Sequence, residues 1–309
     1  MKKALALAAL VAVVLTAAAT AGVSALSGTV TADGSSTVGP YAIAAAEGFQ
    51  KKNPKARVTV GISGTGGGFE RFCRNEIDLS NASRPMKASE AVLCRDAGVK
   101  WVAFTVANDG TSVVVNKQNT WVDCLTTAEL KTIWNSGSKA KSWNDVRASF
   151  PDVPLKLFGP GTDSGTFDFF TEKINGKAKA SRSDYLATED DNVIVQGVAG
   201  ERGGLGYFGF SYYEENAAKL KVVKVDSGSG CVAPSVATVQ KSTYKPLARP
   251  LFVYAKRTAF KRPVVAGYIG YIFNNEKAIA KKSGFISLTD PQLRKARYQY
   301  LQALKANNT

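Results

Sequence analysis

The feature that most constrains the fold is a unit that occurs three times: a short strand-like run, a turn of small polar residues, and a helical pattern. The turns are Asp33-Gly34-Ser35-Ser36-Thr37, Gly61-Ile62-Ser63-Gly64-Thr65-Gly66-Gly67-Gly68 and Gly159-Pro160-Gly161-Thr162-Asp163-Ser164-Gly165-Thr166. Such a turn presents backbone N–H groups without helical acceptors at the positive end of a helix dipole, which attracts anions. One turn of this kind indicates only a helix cap, whereas three favour a shared anionic ligand.

Strand-like and helical patterns alternate along the chain, which predicts an α/β fold with mostly parallel sheets. The predicted strands are 28–32, 57–62, 100–106, 111–116, 155–159, 205–208, 221–225 and 249–255. The predicted helices are 38–52, 67–75, 88–97, 126–135, 143–149, 165–174, 190–200, 210–219, 260–274 and 290–305. Ligand sites of such sheets lie beyond the carboxyl ends of the strands. Because all three polar turns follow such ends, we expect them to converge on one crevice.

The first 25 residues have the pattern of a secretory signal peptide. Met1-Lys2-Lys3 precedes an apolar run from Ala4 to Val23, and small residues permit cleavage after Ala25. An N-terminal membrane anchor is the alternative. No cysteine follows the cleavage site, which argues against a lipid anchor. We therefore expect a periplasmic or secreted protein whose remaining chain is long enough for two domains.

The chain is basic, with 40 Lys and Arg against 25 Asp and Glu, a formal charge of +15. Removal of Lys2 and Lys3 with the signal peptide would leave 15 − 2 = +13. The basic residues are scattered rather than gathered in one tract, and export argues against a nucleic-acid partner. A surface that attracts small anions is the favoured interpretation, and a merely solvated surface is the alternative.

Histidine is absent from the sequence, which excludes Ser-His-Asp and Cys-His catalysis and His-ligated metals. We expect no metal and no cofactor. The four cysteines of an exported protein predict two disulfides, for which three pairings are possible. The favoured pairing is Cys73–Cys94 with Cys124–Cys231, because the first two are close in sequence and the latter two can share a domain.

Arg84, in the segment Asp78-Leu79-Ser80-Asn81-Ala82-Ser83-Arg84-Pro85, is a candidate anion ligand. Its planar guanidinium matches an oxyanion well, although a surface salt bridge to Glu90 or Asp78 is the more ordinary role. Strand patterns near residues 110 and 250 suggest two connections between domains. The chain would leave the first domain near residue 110 and return to it near residue 250. Two such crossovers would form a hinge.

Six motifs together carry a family resemblance: ADGSSTVGP, SGTGGGFERFC, DLSNASRP, GTDSGTFDFF, EDDNVIVQGVAG and GGLGYFGF. The chain resembles, over about residues 28–305, the periplasmic phosphate-binding proteins of ABC-type importers, the PstS family. The resemblance implies a class II periplasmic-binding-protein fold with two α/β lobes and two crossover hinge strands. The first lobe is expected to comprise 26–110 and 251–309, and the second 111–250.

The resemblance also implies which residues bind the ligand. By position these are Ser36, Thr37, Thr65, Ser164, Gly165 and Thr166, with Ser35, Ser63, Ser83 and Asp163 beside them. The implied protein is a non-enzymatic monomer without a cofactor. Its implied partners are inorganic phosphate and the membrane permease of an ABC importer.

Two departures from the family pattern affect the expected ligand contacts. Many relatives carry an Asp, which accepts the phosphate proton, in the segment that matches Ser83-Arg84. They also carry an Arg shortly before the third turn, where this chain has Gly159-Pro160-Gly161. Our hypothesis is that Arg84 pairs with the anion and that Asp163 or Asp33 accepts the proton, while Asp163 could instead cap the helix that follows.

Three other functions remain open at this point. The same fold could bind sulfate, molybdate or tungstate. A phosphate-ester hydrolase with a serine nucleophile is a second possibility, which the absence of histidine disfavours. An adhesin or nucleic-acid binder would rest on the basic charge alone.

Overall fold

The computed structural model describes residues 26–162, 164–188 and 190–306. The predicted signal peptide and Asp163 lie outside these residues. The chain begins with three parallel strands, β1 (Gly28–Gly34), β2 (Ala56–Val60) and β3 (Leu79–Ala82), with β1 in the middle. Each is followed by a helix: α1 (Gly39–Lys52), α2 (Gly64–Cys73) and α3 (Ala88–Asp96). The long strand β4 (Trp101–Asn116) then leads into the second lobe.

The second lobe has a mixed sheet with its own helices. Its strands are β5 (Cys124–Thr126), β6 (Lys156–Pro160), β7 (Leu186–Thr188), β8 (Gly204–Gly209), β9 (Leu220–Asp226) and β10 (Cys231–Val232). Its helices are α4 (Thr127–Trp134), α5 (Trp143–Val146), α6 (Gly165–Phe170), α7 (Asp191–Gly200), α8 (Phe210–Asn216) and α9 (Val236–Gln240). A π-helical turn, Thr171–Asn175, extends α6.

The chain returns to the first lobe through β11 (Ala248–Lys256) and a 3-10 turn at Arg257–Lys261. Three helices complete that lobe: α10 (Pro263–Asn274), α11 (Glu276–Lys282) and α12 (Asp290–Lys305). The main strand order is β2-β1-β3-β11-β4-β8-β6-β7. The first five strands belong to the first lobe and β4 continues into the second, so the expected two-lobed α/β fold is confirmed.

Strand β4 differs from its prediction as two strands, 100–106 and 111–116, because it is unbroken through Asn108-Asp109-Gly110. Its first part pairs with β11, from Trp101 to Gly110, and its last part pairs with β8 and β9. Polar residues usually interrupt a strand, but here Asn108 exchanges two backbone hydrogen bonds with Ile286 (2.8 and 2.9 Å). The amide of Asn108 is also held by Ser287 O (3.1 Å) and Gln292 Oε1 (3.2 Å).

Helix α2 begins at Gly64, three residues before its predicted start at 67, so Gly64–Gly68 is helical rather than a loop. Glycine disfavours helix on its own, and tertiary contacts outweigh this preference here. The Asp33 carboxylate accepts the N–H of Ser63 (3.0 Å), the residue before the helix. At Gly68, a side chain would collide with Gly34, so glycine lets α2 pack against the end of β1.

The other differences concern short elements. The prediction missed β3, β5, β7 and β10, and also helices α9 and α11. The predicted helix 165–174 changes to π-helical geometry at Thr171, where the hydroxyl donates to Phe167 O (2.7 Å). Short strands provide too few residues for a period of two to be recognised.

Each lobe has its own hydrophobic core and its own disulfide. Helices α1, α10 and α12 cover one face of the first sheet around Tyr41, Phe104 and Tyr268, and Trp134 and Tyr207 lie at the centre of the second lobe. Cys73–Cys94 joins α2 to α3, and Cys124–Cys231 joins β5 to β10. The structure therefore contains the favoured disulfide pairing.

Candidate functional site

The two lobes close around a cavity of about 260 Å³, which we call the inner cavity. Seven of the residues expected at the site line it: Ser35, Ser36, Thr37, Thr65, Ser83, Arg84 and Gly165. Five ionisable residues that were not expected there also line it: Lys87, Asp168, Glu172, Lys173 and Arg249. The crevice at the carboxyl ends of the strands thus brings together parts of all three polar turns.

A direct contact between the lobes divides the crevice in two. The Thr37 hydroxyl donates to the Gly165 carbonyl (3.1 Å) across the interface. A Cβ at residue 165 would lie 2.5 Å from the Thr37 backbone nitrogen, so only glycine permits this approach. Ser164 and Thr166 line the far side of this contact, in a second cavity of about 460 Å³, which we call the outer cavity.

The first turn is shaped by β1 and its neighbour β3. Gly34 has φ +135°, a conformation that favours glycine, and a side chain there would overlap the Asn81 carbonyl. Ser35 N donates to that same carbonyl (2.9 Å). These contacts turn the chain so that Ser36 and Thr37 precede α1 at the cavity wall.

Asp33 is excluded as a proton acceptor for the ligand, which corrects the hypothesis made from the sequence. Its carboxylate accepts the N–H groups of Gly34 (2.6 Å) and Ser63 (3.0 Å) and pairs with Arg71. Asp33 is buried, and its carboxylate holds the start of α2 against β1. Ser63 acts through its backbone in this contact and lines neither cavity.

Thr65 and Ser83 form a hydroxyl pair at the inner cavity, with their oxygens 3.1 Å apart. Ser83 N also donates to the Thr65 hydroxyl (3.2 Å). This pair links the start of α2 to the segment after β3, and it leaves both hydroxyls at the cavity wall.

Ser164 is the N-cap of α6. Its hydroxyl accepts the N–H groups of Thr166 (3.2 Å) and Phe167 (3.3 Å). Ser164 therefore performs the capping role that the alternative interpretation gave to Asp163, which lies outside the described residues. The cap fixes the helix start, including Gly165, at the interface between the lobes.

Arg84 lines the inner cavity, and its guanidinium forms a salt bridge with the Glu90 carboxylate. Its Nη1 and Nη2 atoms donate to the two oxygens of Glu90 (2.8 and 2.7 Å), which is one of the salt bridges weighed from the sequence. Burial alone would raise the pKa of the Glu90 carboxyl, but the hydrogen bonds from Arg84 and the Lys87 N–H lower it. The same contact raises the pKa of Arg84.

Arg249, on β11, is the principal residue that sequence reasoning missed. Its Nε donates to Asp109 (3.0 Å) and its Nη2 to the Thr37 hydroxyl (2.9 Å). Its guanidinium carbon lies 3.6 Å from the centre of the Phe169 ring. Burial lowers its pKa, although Asp109 opposes the shift. A charged residue inside a strand-like run could have indicated this site, because a buried charge needs a partner.

Asp168, on α6, is the second missed residue. One of its carboxylate oxygens, Oδ1, is buried without a hydrogen-bond partner among the described residues. Its pKa is raised, mainly by burial and further by Glu172, against the opposing effects of Lys179 and Arg249. Asp168 lines the inner cavity, and a carboxylate oxygen without a donor can accept a proton-bearing group of a ligand.

The described part of the chain contains neither a metal-binding cluster nor a membrane-spanning helix. Within residues 26–162, 164–188 and 190–306, no cluster of three or more acidic or cysteine side chains is arranged to hold a metal. Over the same ranges, every helix is too short or too polar to span a membrane.

Comparison with known proteins supports a single family. The sequence model described as the PBP superfamily domain matches residues 19–276. The protein SphX of Synechococcus elongatus is 50% identical over 262 residues, 84% of this chain and 77% of its own. The phosphate-binding protein PstS of Staphylococcus saprophyticus is 41% identical over 265 residues, 84% of this chain and 81% of its own.

Two solved structures are similar over most of the chain. A possible phosphate-binding protein from Planctomyces limnophilus is 46% identical with a TM-score of 0.87, over 90% of this chain and 99% of its own. A putative phosphate ABC transporter substrate-binding protein from Clostridium perfringens, with bound phosphate, is 26% identical with a TM-score of 0.59, over 85% of this chain and 100% of its own. The chain thus belongs to the PBP superfamily and, within it, to the PstS family of phosphate-binding proteins.

Proposed function

We propose that this protein captures inorganic phosphate between its lobes and delivers it to the membrane permease of an ABC importer. The observation that carries the proposal is the inner cavity, where both lobes surround a buried guanidinium, that of Arg249, together with hydroxyls and helix starts. The relatives named for phosphate binding and the phosphate-bound structure from Clostridium perfringens support the same ligand. In this proposal the protein is an exported, non-enzymatic monomer.

The proposed ligand contacts are of two kinds: hydrogen bonds from N–H and O–H groups, and positive charge from two arginines. Ser36 and Thr37 at the start of α1, Thr65 on α2, and Gly165 at the start of α6 would supply N–H and O–H donors. Ser35 and Ser83 line the same cavity and would support them. Ser164 and Thr166, on the outer side of the Thr37–Gly165 contact, would hold the start of α6 in place. Arg249 would supply the buried positive charge, and Arg84 a charge at the rim that Glu90 partly neutralises.

Closure is the proposed mechanism of capture. The lobes, 26–110 with 251–309 and 111–250, would move about the two crossover strands β4 and β11. Phosphate would shift the equilibrium toward the closed form by the affinity that it gains from touching both lobes. The Thr37–Gly165 contact supports this mechanism, since it can exist only when the lobes are together.

Asp168 is the proposed acceptor of the phosphate proton. Its unpartnered Oδ1 atom complements a P–OH group, which phosphate carries at neutral pH and sulfate does not. Sulfate carries no proton, so the Asp168 carboxylate would face its negative charge without forming a hydrogen bond. This repulsion would weaken sulfate binding. Phosphate is therefore favoured over sulfate, molybdate or tungstate.

Exchange of Asp168 for Asn tests this selectivity. Asp168→Asn should lower phosphate affinity roughly tenfold, the value of a charged hydrogen bond, and should raise sulfate affinity. Glu172→Gln, at another acid that lines the same cavity, is the matched control and should leave the phosphate-to-sulfate ratio unchanged. An unchanged ratio in Asp168→Asn, measured by competition titration, would remove Asp168 from the proposed role.

Calorimetric titration of residues 26–309, stripped of ligand, tests the function itself. Phosphate should bind with micromolar or higher affinity, and sulfate and molybdate should not compete. A preference for either of the other anions would assign the site to a different oxyanion. Steady turnover of a chromogenic phosphate ester, which we do not expect, would contradict the non-enzymatic proposal.

A further inference from the structure

The end of the first lobe that lies farthest from the inner cavity has a strongly basic surface. Seven exposed cationic residues form this surface, which we call the basic pole: Lys51, Lys52, Lys55, Arg57, Lys100, Arg257 and Lys261. The inner cavity lies at the carboxyl ends of β1, β2 and β3, whereas the basic pole lies at their amino ends. The two sites are thus at opposite ends of the same lobe.

Backbone contacts link the segments that carry the basic pole. Gly28 N donates to the Lys55 carbonyl (3.2 Å), and Thr29 lies opposite Arg57 in the β1–β2 ladder. On the other side of the pole, Arg257 N donates to the Lys100 carbonyl (2.9 Å).

Arg262 connects the two sides of the pole. It follows the 3-10 turn that ends at Lys261, and it contacts both the Thr29 carbonyl and the Asp78 carboxylate. The seven basic residues therefore lie on segments that meet at one end of the first lobe.

The positive charge of the basic pole is largely uncompensated. Within the described ranges, none of the seven side chains forms an ion pair, and the two nearby acids, Asp78 and Asp96, pair with Arg262 and Arg95. Lys51 and Lys52 end α1, where cations are ordinary partners of the helix dipole. The helix dipole does not account for Lys55, Arg57 or Lys100, which are on or beside strands.

An apolar groove of about 540 Å³ adjoins the basic pole. Its apolar walls include Val92, Val99 and Trp101, and its rim includes Lys100 and Arg257, which belong to the pole. Val92 is 42% exposed, and its neighbour Leu93 is 43% exposed. An apolar groove that contains a tryptophan and is rimmed by cations is amphipathic in the same way as the interface of a lipid bilayer.

We propose that the basic pole and its apolar groove hold this protein on an anionic phospholipid membrane. Basic residues near such a surface are each attracted by the negative headgroups, and apolar side chains with a tryptophan suit the boundary beneath them. The chain also enters the first lobe at this pole, because Gly28, at the start of β1, donates its N–H to the Lys55 carbonyl. None of the described residues that line the inner cavity belongs to the pole or the groove, so the proposed membrane surface is separate from the proposed phosphate site.

Vesicle binding tests the proposal with the exported mature protein produced from the full sequence. It should co-sediment with vesicles of equal parts phosphatidylcholine and phosphatidylglycerol, and not with phosphatidylcholine alone. Raising the salt from about 0.1 M to about 0.5 M should release it, because the attraction is screened. Equal binding to the two kinds of vesicle would overturn the proposal.

A matched pair of triple variants locates the binding surface. Lys55→Gln/Lys100→Gln/Arg257→Gln should lower the partition coefficient roughly 100-fold, since each basic residue near the membrane contributes about fivefold. Lys131→Gln/Lys139→Gln/Lys177→Gln makes the same change of charge at exposed lysines of the second lobe and should have little effect. Both variants should keep the phosphate affinity of the parent protein, which shows that they are folded.

Two further outcomes distinguish a lipid site from a general attraction between opposite charges. An equal loss in both triple variants would show that overall charge is responsible, and this would overturn the proposal. The protein could also bind a short DNA duplex tightly, and the pole variant could lose this binding as strongly as it loses vesicle binding. That result would show that the pole binds polyanions in general, and it would also overturn the membrane proposal. Val92→Ser should weaken vesicle binding without changing its salt dependence, as expected if the groove contacts lipid.

Discussion

The inner cavity is lined by two arginines, Arg84 and Arg249, that are held in different ways. Arg84 pairs with Glu90, six residues away, through two hydrogen bonds at the cavity rim, and its side chain is 24% exposed. Arg249 pairs with Asp109, 140 residues away, and its side chain is 10% exposed. The first pair stays within one loop and helix of the first lobe, whereas the second joins the two crossover strands.

This difference indicates which arginine links binding to closure. Arg249 contacts Thr37 in the first lobe and the Phe169 ring in the second, so its position depends on both lobes. Arg84 and Glu90 both belong to the first lobe, so opening of the lobes would not require them to separate. A buried ion pair costs about 3–5 kcal/mol when one partner is removed, whereas an exposed pair is worth about 0–1 kcal/mol. We therefore expect unequal effects from the same kind of mutation.

Removal of the buried arginine should have the largest effect. Arg249→Met should lower phosphate affinity at least roughly 100-fold, because a charged hydrogen bond is lost and Asp109 is left as an uncompensated buried anion. The same change should lower the free energy of unfolding by about 3–5 kcal/mol. Calorimetric titration and denaturant unfolding measure the two quantities.

A second variant separates ligand binding from folding. Asp109→Leu with Arg249→Met removes both buried charges and should recover most of the lost stability without restoring phosphate binding. Recovery of affinity in this double variant would show that Arg249 is needed only to neutralise Asp109.

Removal of the rim arginine should have an intermediate effect. Arg84→Ala should weaken phosphate binding roughly tenfold, partly because the Glu90 carboxylate then faces the anion without a partner. Arg84→Ala with Glu90→Ala should recover most of this loss, and titration of both variants measures it. A double variant as weak as Arg84→Ala would show instead that Arg84 contacts the ligand directly.

The smallest expected effect is the loss of stability when the pH is lowered and the Arg84–Glu90 pair is broken. Because the folded-state pKa of Glu90 is lowered, the stabilisation from its pairing with Arg84 is present above the unfolded pKa of about 4.3 and is lost as pH falls through the folded pKa. The partly exposed pair should contribute less than about 1 kcal/mol. Denaturant unfolding of the parent and of the Arg84→Ala/Glu90→Ala variant should therefore differ at neutral pH and converge in acid. A constant difference would show that the pair does not titrate as proposed.

Secondary structure was predicted correctly from the sequence where the local pattern and the tertiary environment favour the same element. Strands β1, β2 and β9 and helices α1, α7 and α12 lie close to their predicted positions. Prediction was wrong at Asn108-Asp109-Gly110, which reads as a turn but lies inside β4 because β11 pairs with it. The glycines after Ser63 likewise read as a loop, but the Asp33 carboxylate and close packing on β1 make them helical.

The candidate site shows the same division. The three polar turns and the Arg84–Glu90 pair could be found from the sequence, because their members are close in the chain and their residue types have strong local preferences. Asp168 looked like one more polar residue of an aromatic helix, since nothing nearby in sequence shows that its Oδ1 atom would lack a partner. Asp33 looked available, but its acceptor capacity is used by residues that only the fold brings to it.

By itself, the sequence determined the α/β alternation, the family and the turns that form the crevice, because these depend on short-range patterns and residue composition. Only the tertiary structure decided which charges meet at that crevice. Arg249, Asp109 and Thr37 come from widely separated segments and are joined where the crossover strands meet the first polar turn. The physical reason is burial: a charge removed from water must find its partner in space, whatever the separation along the chain.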